Sequence, residues 1–214
     1  MRGRLALPDW YRPLAELSQT VTAGQLSRFT PPPGHDRLSA VLMLFGESAA
    51  GQVDVLLTQR ARGMRSHAGQ VAFPGGKVDP EDDGPAAAAL REAAEETGLD
   101  PAGVVVSGQL PALYLPPSDY SVVPVLAWWA RPVVVGPGHP DEVARVARIS
   151  LASLLDPAHR FTVRHPSGFV GPGFAADGWF VWGFTAGLLD RVFALAGWER
   201  EWDRDRMRDL GETA

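Results

Sequence analysis

Two rhythms of apolar and polar positions alternate along the chain. Ser39–Phe45 (SAVLMLF) is an unbroken apolar run, short enough for a buried strand. A turn-rich stretch, 46–51, separates it from Val53–Arg60, which reads as its hairpin partner. Residues 61–72 read as an irregular, Arg-rich loop leading into Val71, Ala72 and Phe73, and Pro74-Gly75-Gly76 follows as a strong breaker. Val104–Leu113 and Ser121–Trp129 predict strands on either side of a turn at Pro116-Pro117-Ser118, and Glu142–Ile149 alternates as another. Helical spacing appears over Asp9–Leu17, over Pro85–Thr97, in one turn at Leu151–Leu155, and over Trp182–Leu195. The second of these is the best punctuated: Asp83 or Gly84 can cap it, Pro85 sits near its first position, and Gly98 stops it. Residues 131–141 read as a Pro/Gly loop, residues 164–178 are Gly/Pro-rich, and the charged segment from Trp198 onward reads as a solvated tail or frayed helix. Several strands with one central and one late helix predict an α+β fold, a mixed β-sheet sandwiched between α-helices. The expected organisation is an N-terminal helix and loop extension over 1–37, a core domain over 38–197 and a charged tail over 198–214.

Composition narrows the chemistry. At 214 residues and 45% hydrophobic, the chain suits one globular domain. It has no cysteine, which removes disulfides, thiolate metal sites and cysteine nucleophiles, and fits a cytoplasmic location. No signal-peptide pattern and no membrane-length apolar run stand out. The net charge of −5 offers no long-range attraction for an anion, so metal ions and local Arg or Lys must meet any phosphate ligand. With no basic stripe, a nucleic-acid partner is not expected. The pattern specifies no oligomeric state.

The candidate chemistry lies on the central helix. In Arg91-Glu92-Ala93-Ala94-Glu95-Glu96-Thr97-Gly98, helical geometry makes Glu92 and Glu96 neighbours and sets Glu95 on the adjacent flank. The opposite face, Ala86, Leu90, Ala94 and Thr97, is expected to pack inward. Arg91 can reach Glu95 four residues on. Clustered carboxylates repel one another until a divalent ion joins them, and magnesium takes one or two carboxylates together with phosphate oxygens and water.

Taken with what precedes it, this segment resembles the Nudix box. Gly76 stands as the first glycine, and Arg91 to Leu99 supply the second half, R-E-A-A-E-E-T-G-L. Asp82 occupies the position of the box's first Glu, and the gap that follows, Asp83 to Leu90, is one residue longer than usual. Upstream, Leu56-Leu57-Thr58-Gln59-Arg60-Ala61, Arg65, Gly69 and Phe73-Pro74-Gly75-Gly76 match a signature of the coenzyme A pyrophosphatase branch, which also carries the longer gap and the Asp. Trp182-Gly183-Phe184-Thr185-Ala186 resembles a late stretch of that branch, so the likeness runs over about residues 38 to 195.

The resemblance implies a Nudix-type fold and metal-dependent hydrolysis of coenzyme A to 3′,5′-ADP and 4′-phosphopantetheine. Glu92, Glu96, Glu95 and the Gly76 carbonyl would hold Mg2+ or Mn2+. Glu95, Glu96 and Glu142 would share the catalytic roles, with the general base open between Glu95 and Glu142. Arg60, Arg65, Lys77 and Phe73 would meet the substrate. Two other readings remain open at this stage: a Nudix hydrolase of another nucleoside diphosphate derivative such as ADP-ribose, and a non-catalytic Nudix-like nucleotide-binding module.

Overall fold

The computed structural model describes residues 6–63 and 68–211. Its strands are β1 (Leu38–Glu47), β2 (Val53–Arg60), β3 (Val71–Ala72), β4 (Gly75–Lys77), β5 (Val104–Gln109), β6 (Leu113–Leu115), β7 (Tyr120–Trp129), β8 (Val143–Ser150), β9 (Arg160–Arg164), β10 (Val170–Ala176), β11 (Trp179–Val181) and β12 (Met207–Asp209). Its α-helices are α1 (Arg12–Thr20), α2 (Ala23–Leu26), α3 (Gly84–Thr97), α4 (Leu151–Leu154) and α5 (Gly183–Leu195).

Strand β1 is the spine of the larger, mixed sheet. It pairs in parallel with β7 along most of its length and antiparallel with β2 and β4. Strand β8 lines β2, and β5 and β6 line β7. Because strand side chains alternate, β1 feeds two cores. Ala40, Leu42 and Leu44 face α3, where Ala88, Ala89, Ala93 and Leu99 complete a small core with Trp129. Met43 and Phe45 face the larger core, built with Tyr11, Leu14 and Leu17 of the N-terminal helix and with Leu188, Leu189, Val192 and Phe193 of α5. The mixed sheet is thus sandwiched between helices, as the pattern predicts.

Three expectations are refined. The helical segment near the N-terminus begins with a 3-10 turn, Asp9–Tyr11, and α1 continues to Thr20. Residues 164–178 are not an open loop: β9 and β10 form a hairpin that, with β11 and β12, makes a second sheet ordered β11-β10-β9-β12. The segment after Trp198 is largely exposed, as expected, but it is held to the fold. Strand β12 pairs in parallel with β9, and Trp202 is buried.

What draws that segment in is Arg160, whose side chain is fully buried. It pairs with Asp190 of α5 and with Glu199 at 3.4 Å, and lies over the rings of Phe174 and Trp202. A buried guanidinium is tolerated only while such partners remain. Asp190→Ala is therefore expected to destabilise the protein by about 3 kcal/mol or more in urea denaturation. A loss below about 1 kcal/mol would show that the network does not anchor the C-terminal segment.

Candidate active site

The site grows out of a close approach between α3 and β4. Gly75 pairs with Val41 and Gly76 with Ala40 at the start of β1. At Gly75, where φ is +157°, a Cβ would run into the Ala40 carbonyl oxygen. At Gly76 a Cβ would overlap the Glu92 carboxylate. Only a bare backbone lets the helix carboxylates lie against the strand. The Gly75 N–H then donates to Glu96 Oε2 at 3.2 Å.

Helix α3 presents its acids in graded environments. Its inward face is Ala88, Ala89, Ala93 and Thr97, while the expected Ala86, Leu90 and Ala94 are only partly buried. Gly98 closes the helix in the left-handed conformation at φ +70°, as foreseen. At the other end, Asp83 is the N-cap residue, but its side chain makes no capping hydrogen bond. Glu96 is buried with 8% of its surface exposed, Glu92 is partly buried, and Glu95 is exposed. Burial pushes the Glu96 carboxyl up to about 7; the Gly75 N–H and Arg60 oppose the rise, and the charges of Glu92 and Glu142 add to it. Glu92 is also raised, chiefly by desolvation, against the pull of Arg91.

Arg91 organises the acidic loop as well as its own helix. Its Nε and Nη2 grip both oxygens of Asp82 at 3.0 and 2.8 Å, a bidentate pair. It also donates to Glu92 Oε1 at 3.0 Å and to the Lys77 carbonyl at 3.2 Å. Its expected partner Glu95 stands farther off, at 3.6 Å. Asp82, whose role the sequence leaves open, is thus the clasp between the loop after β4 and α3. The pairing holds its carboxyl below the ordinary range.

A second wall comes from the Gly/Pro loop before β8. The Gly138 N–H donates to the Glu96 carbonyl at 2.9 Å, and the Gly136 N–H donates to that of Thr97 at 3.0 Å. A Cβ at Gly138 would strike the Glu95 carbonyl. This loop meets carbonyls that the helix end leaves unpaired and carries the chain to Glu142. The Glu142 carbonyl accepts the Ala61 N–H at 2.8 Å, next to Arg60. Glu142 and Arg60 therefore join the environment of Glu96 from outside the box. The spacing of Gly136 and Gly138 gave no signal of this contact.

The remaining candidates divide. Arg60 ends β2 half-buried, and its Nε is buried without a hydrogen-bond partner. Lys77 is exposed at the end of β4. Phe73, expected at the substrate, is 3% exposed and belongs to the larger core. Arg65 and His67 lie outside the described residues.

The fit to a divalent ion can be judged from these donors. Among the described residues, no three acidic or histidine side chains converge into a complete cage. What is present is a hard, all-oxygen pair, Glu92 and Glu96, beside a backbone stripped of side chains. That suits an ion whose other positions go to phosphate and water. The raised Glu96 carboxyl comes first from burial, to which the charges of Glu92 and Glu142 add.

The protonation of Glu96 gives a sign that can be checked in metal-free protein. Its folded value of about 7 exceeds the ordinary 4.5, so its contribution to stability is full below 4.5 and lost as pH rises through 7. With chelator present, Glu96→Gln is expected to be more stable than wild type at about pH 8, by about 1–3 kcal/mol. The difference closes toward about pH 5, as read by denaturant titration at each pH. A constant difference across that window would contradict the burial argument.

Comparison with known proteins agrees with this architecture. A family model described as the NUDIX domain matches residues 35–169. NudL of Escherichia coli K12, described as an uncharacterized Nudix hydrolase, is 41% identical over 160 residues, covering 67% of this chain and 75% of the relative. The crystal structure of a Nudix hydrolase from M. smegmatis, RenU, matches with a TM-score of 0.51 at 20% identity, over 78% of this chain and 90% of that one. A MutT/nudix family protein from Enterococcus faecalis matches with a TM-score of 0.50 at 19% identity, over 88% and 74% of the two chains. Both structures speak for the fold. Members of this family generally use divalent metal ions. With the family model spanning more than half its length, the chain belongs to the Nudix hydrolase family, enzymes that act on pyrophosphate bonds.

Proposed function

We propose that the protein hydrolyses the diphosphate of coenzyme A to 3′,5′-ADP and 4′-phosphopantetheine, with Mg2+ or Mn2+. The observation that carries this reading is the string from Leu56 to Gly76. It matches the coenzyme A pyrophosphatase signature and runs from β2 to the bend against which Glu92 and Glu96 lie. Arg60 within it, at the end of β2, and Lys77 just after it are local cations on a chain whose net charge is −5. The net charge itself offers an anionic substrate nothing.

In this reading Glu92 and Glu96, with the Gly76 carbonyl, hold the ion, and Glu95 is a further ligand. When bound, the ion supplies positive charge to the diphosphate oxygens. Arg60, half-buried at the end of β2, offers its guanidinium to a phosphate oxygen. Water attacks one phosphorus, the anhydride P–O bond breaks, and the other phosphate leaves. Glu142 takes the proton from the attacking water. It stands beside the end of β2, and its charge is felt by Glu96, whereas Glu95 is tied to Arg91. The location this implies is cytoplasmic, where coenzyme A is met; among the described residues no helix is long and apolar enough to cross a membrane.

Incubation with coenzyme A and Mg2+ is expected to release 3′,5′-ADP and 4′-phosphopantetheine in equal amounts. Glu96→Gln is expected to lower kcat by orders of magnitude with the fold intact by circular dichroism. Glu142→Gln is expected to lower kcat by about 10²–10⁴-fold with little change in KM. Arg60→Ala is expected to lower kcat/KM by at least about tenfold. ADP-ribose cleaved in preference to coenzyme A would overturn the substrate, and near-full activity of Glu96→Gln would overturn the metal assignment.

A further inference from the structure

Next to the bend lies a polar cluster that the box does not use. Asp119 sits in the turn between β6 and β7 with φ 55°, a left-handed conformation uncommon outside glycine. Its carboxylate is fully engaged. Oδ1 accepts from the Tyr114 hydroxyl at 2.8 Å and lies 3.2 Å from His35 Nε2, while Oδ2 accepts from Arg37 Nη1 at 2.8 Å. His35 Nδ1 lies 2.9 Å from Ser121 Oγ, which fixes the ring from its other side. The Ser121 N–H donates to the Arg37 carbonyl at 2.8 Å, so the backbone too is clamped. The result is a rigid frame that joins the segment before β1 to the start of β7.

That frame holds Arg37 beside a phenol and a second cation. Arg37 lies over the Tyr120 ring, with its guanidinium carbon 4.4 Å from the ring centroid. Strand β4 sets Lys77 opposite Ser39 of β1, which in turn pairs with Val122 of β7, so Lys77 and Tyr120 share this corner of the sheet, and Arg37 and Lys77 draw the Tyr120 hydroxyl below the ordinary phenol range. Lys77 is one Cα step, about 3.8 Å, beyond Gly76. Of the cluster's cations, Arg37 is spoken for on one edge only. Its side chain is 48% exposed, and a guanidinium carries five N–H donors. Arg37 over the phenol and Lys77 at the same corner are local cations on an acidic protein.

We propose that Arg37, Lys77 and Tyr120 form a subsite for a phosphomonoester dianion, and that it receives the substrate's phosphate group remote from the scissile diphosphate. In the coenzyme A reading, on which the assignment rests, that group is the 3′-phosphate of the adenosine. Arg37 supplies a planar fork and Lys77 a point charge, while Tyr120 donates its hydroxyl. Asp119, His35 and Tyr114 are positioning residues that hold Arg37 in register. The subsite explains how an acidic enzyme would tell a 3′-phosphorylated nucleotide from one with a free 3′-hydroxyl.

The test separates the subsite from the hydrolytic reading by using equilibrium binding. Dissociation constants are measured by calorimetry on the full chain for adenosine 3′,5′-bisphosphate and for adenosine 5′-monophosphate. Wild type is expected to prefer the bisphosphate by at least about tenfold. Arg37→Gln is expected to bring the two constants within about threefold, and Arg37→Lys to restore part of the gap. Tyr120→Phe, which keeps the ring, is expected to narrow the gap less than Arg37→Gln. Circular dichroism of each variant confirms the fold. Equal affinities in wild type, or a preference that survives Arg37→Gln, would overturn the subsite. Failure to cleave coenzyme A while the preference holds would overturn the substrate reading and leave the phosphomonoester subsite standing.

Discussion

The site depends on one close contact, that of the α3 carboxylates with a strand backbone that carries no side chains. Gly75 gives its N–H to Glu96, and Gly76 leaves the space that the Glu92 carboxylate fills. Moving these acids out of water is unfavourable, and the raised Glu96 carboxyl is the measure of that cost. A carboxylate held in such a place has a strong preference for a positive neighbour. The same contact that docks the helix thus creates the local demand for a cation.

Around that contact the molecule adds rigidity from three directions. The Arg91–Asp82 pair fastens the acidic loop to the helix, so the chain between β4 and α3 cannot swing away. The Gly136–Gly138 loop fastens the helix end by its carbonyls and brings Glu142 beside the end of β2. The N-terminal segment and the turn before β7 meet through Asp119. Functional groups held by partners on separate elements keep their geometry better than groups on a single loop.

Much of this was legible in the sequence, and the misses have physical causes. The central helix announced itself through Pro85 and Gly98, and β1, β2 and β7 through their apolar runs. The inward face of α3 is legible in part: Thr97 is buried and Ala86 and Leu90 pack against the core, but a run of alanines carries almost no amphipathic contrast, so Ala88, Ala89 and Ala93 look no different from Ala94. Strand β10 was hidden by Gly171, Pro172 and Gly173, which read as loop. At Gly173 a Cβ would press on the side chains of Phe161 and Val163, so the glycine is there for packing between strands. The C-terminal segment looked solvated because its charges were read singly. The partners of Arg160, at positions 190 and 199, lie far along the chain, as does the ring of Trp202. Within the site, Glu92 and Glu96 were found by helical spacing, whereas the contact of Glu142 with the end of β2 is long-range and left no local trace. Phe73 went astray for the opposite reason. Its place in a motif suggested the ligand, but its neighbours are Leu57 and Val71 in the core cluster.

The most direct measurement of the central claim is a Mn2+ titration followed by electron paramagnetic resonance, with no substrate present. If Glu92 and Glu96 against the glycine bend form the ion's seat, wild type binds Mn2+ and Glu96→Gln weakens it by at least about tenfold. Equal Mn2+ affinity in the two proteins would contradict the account.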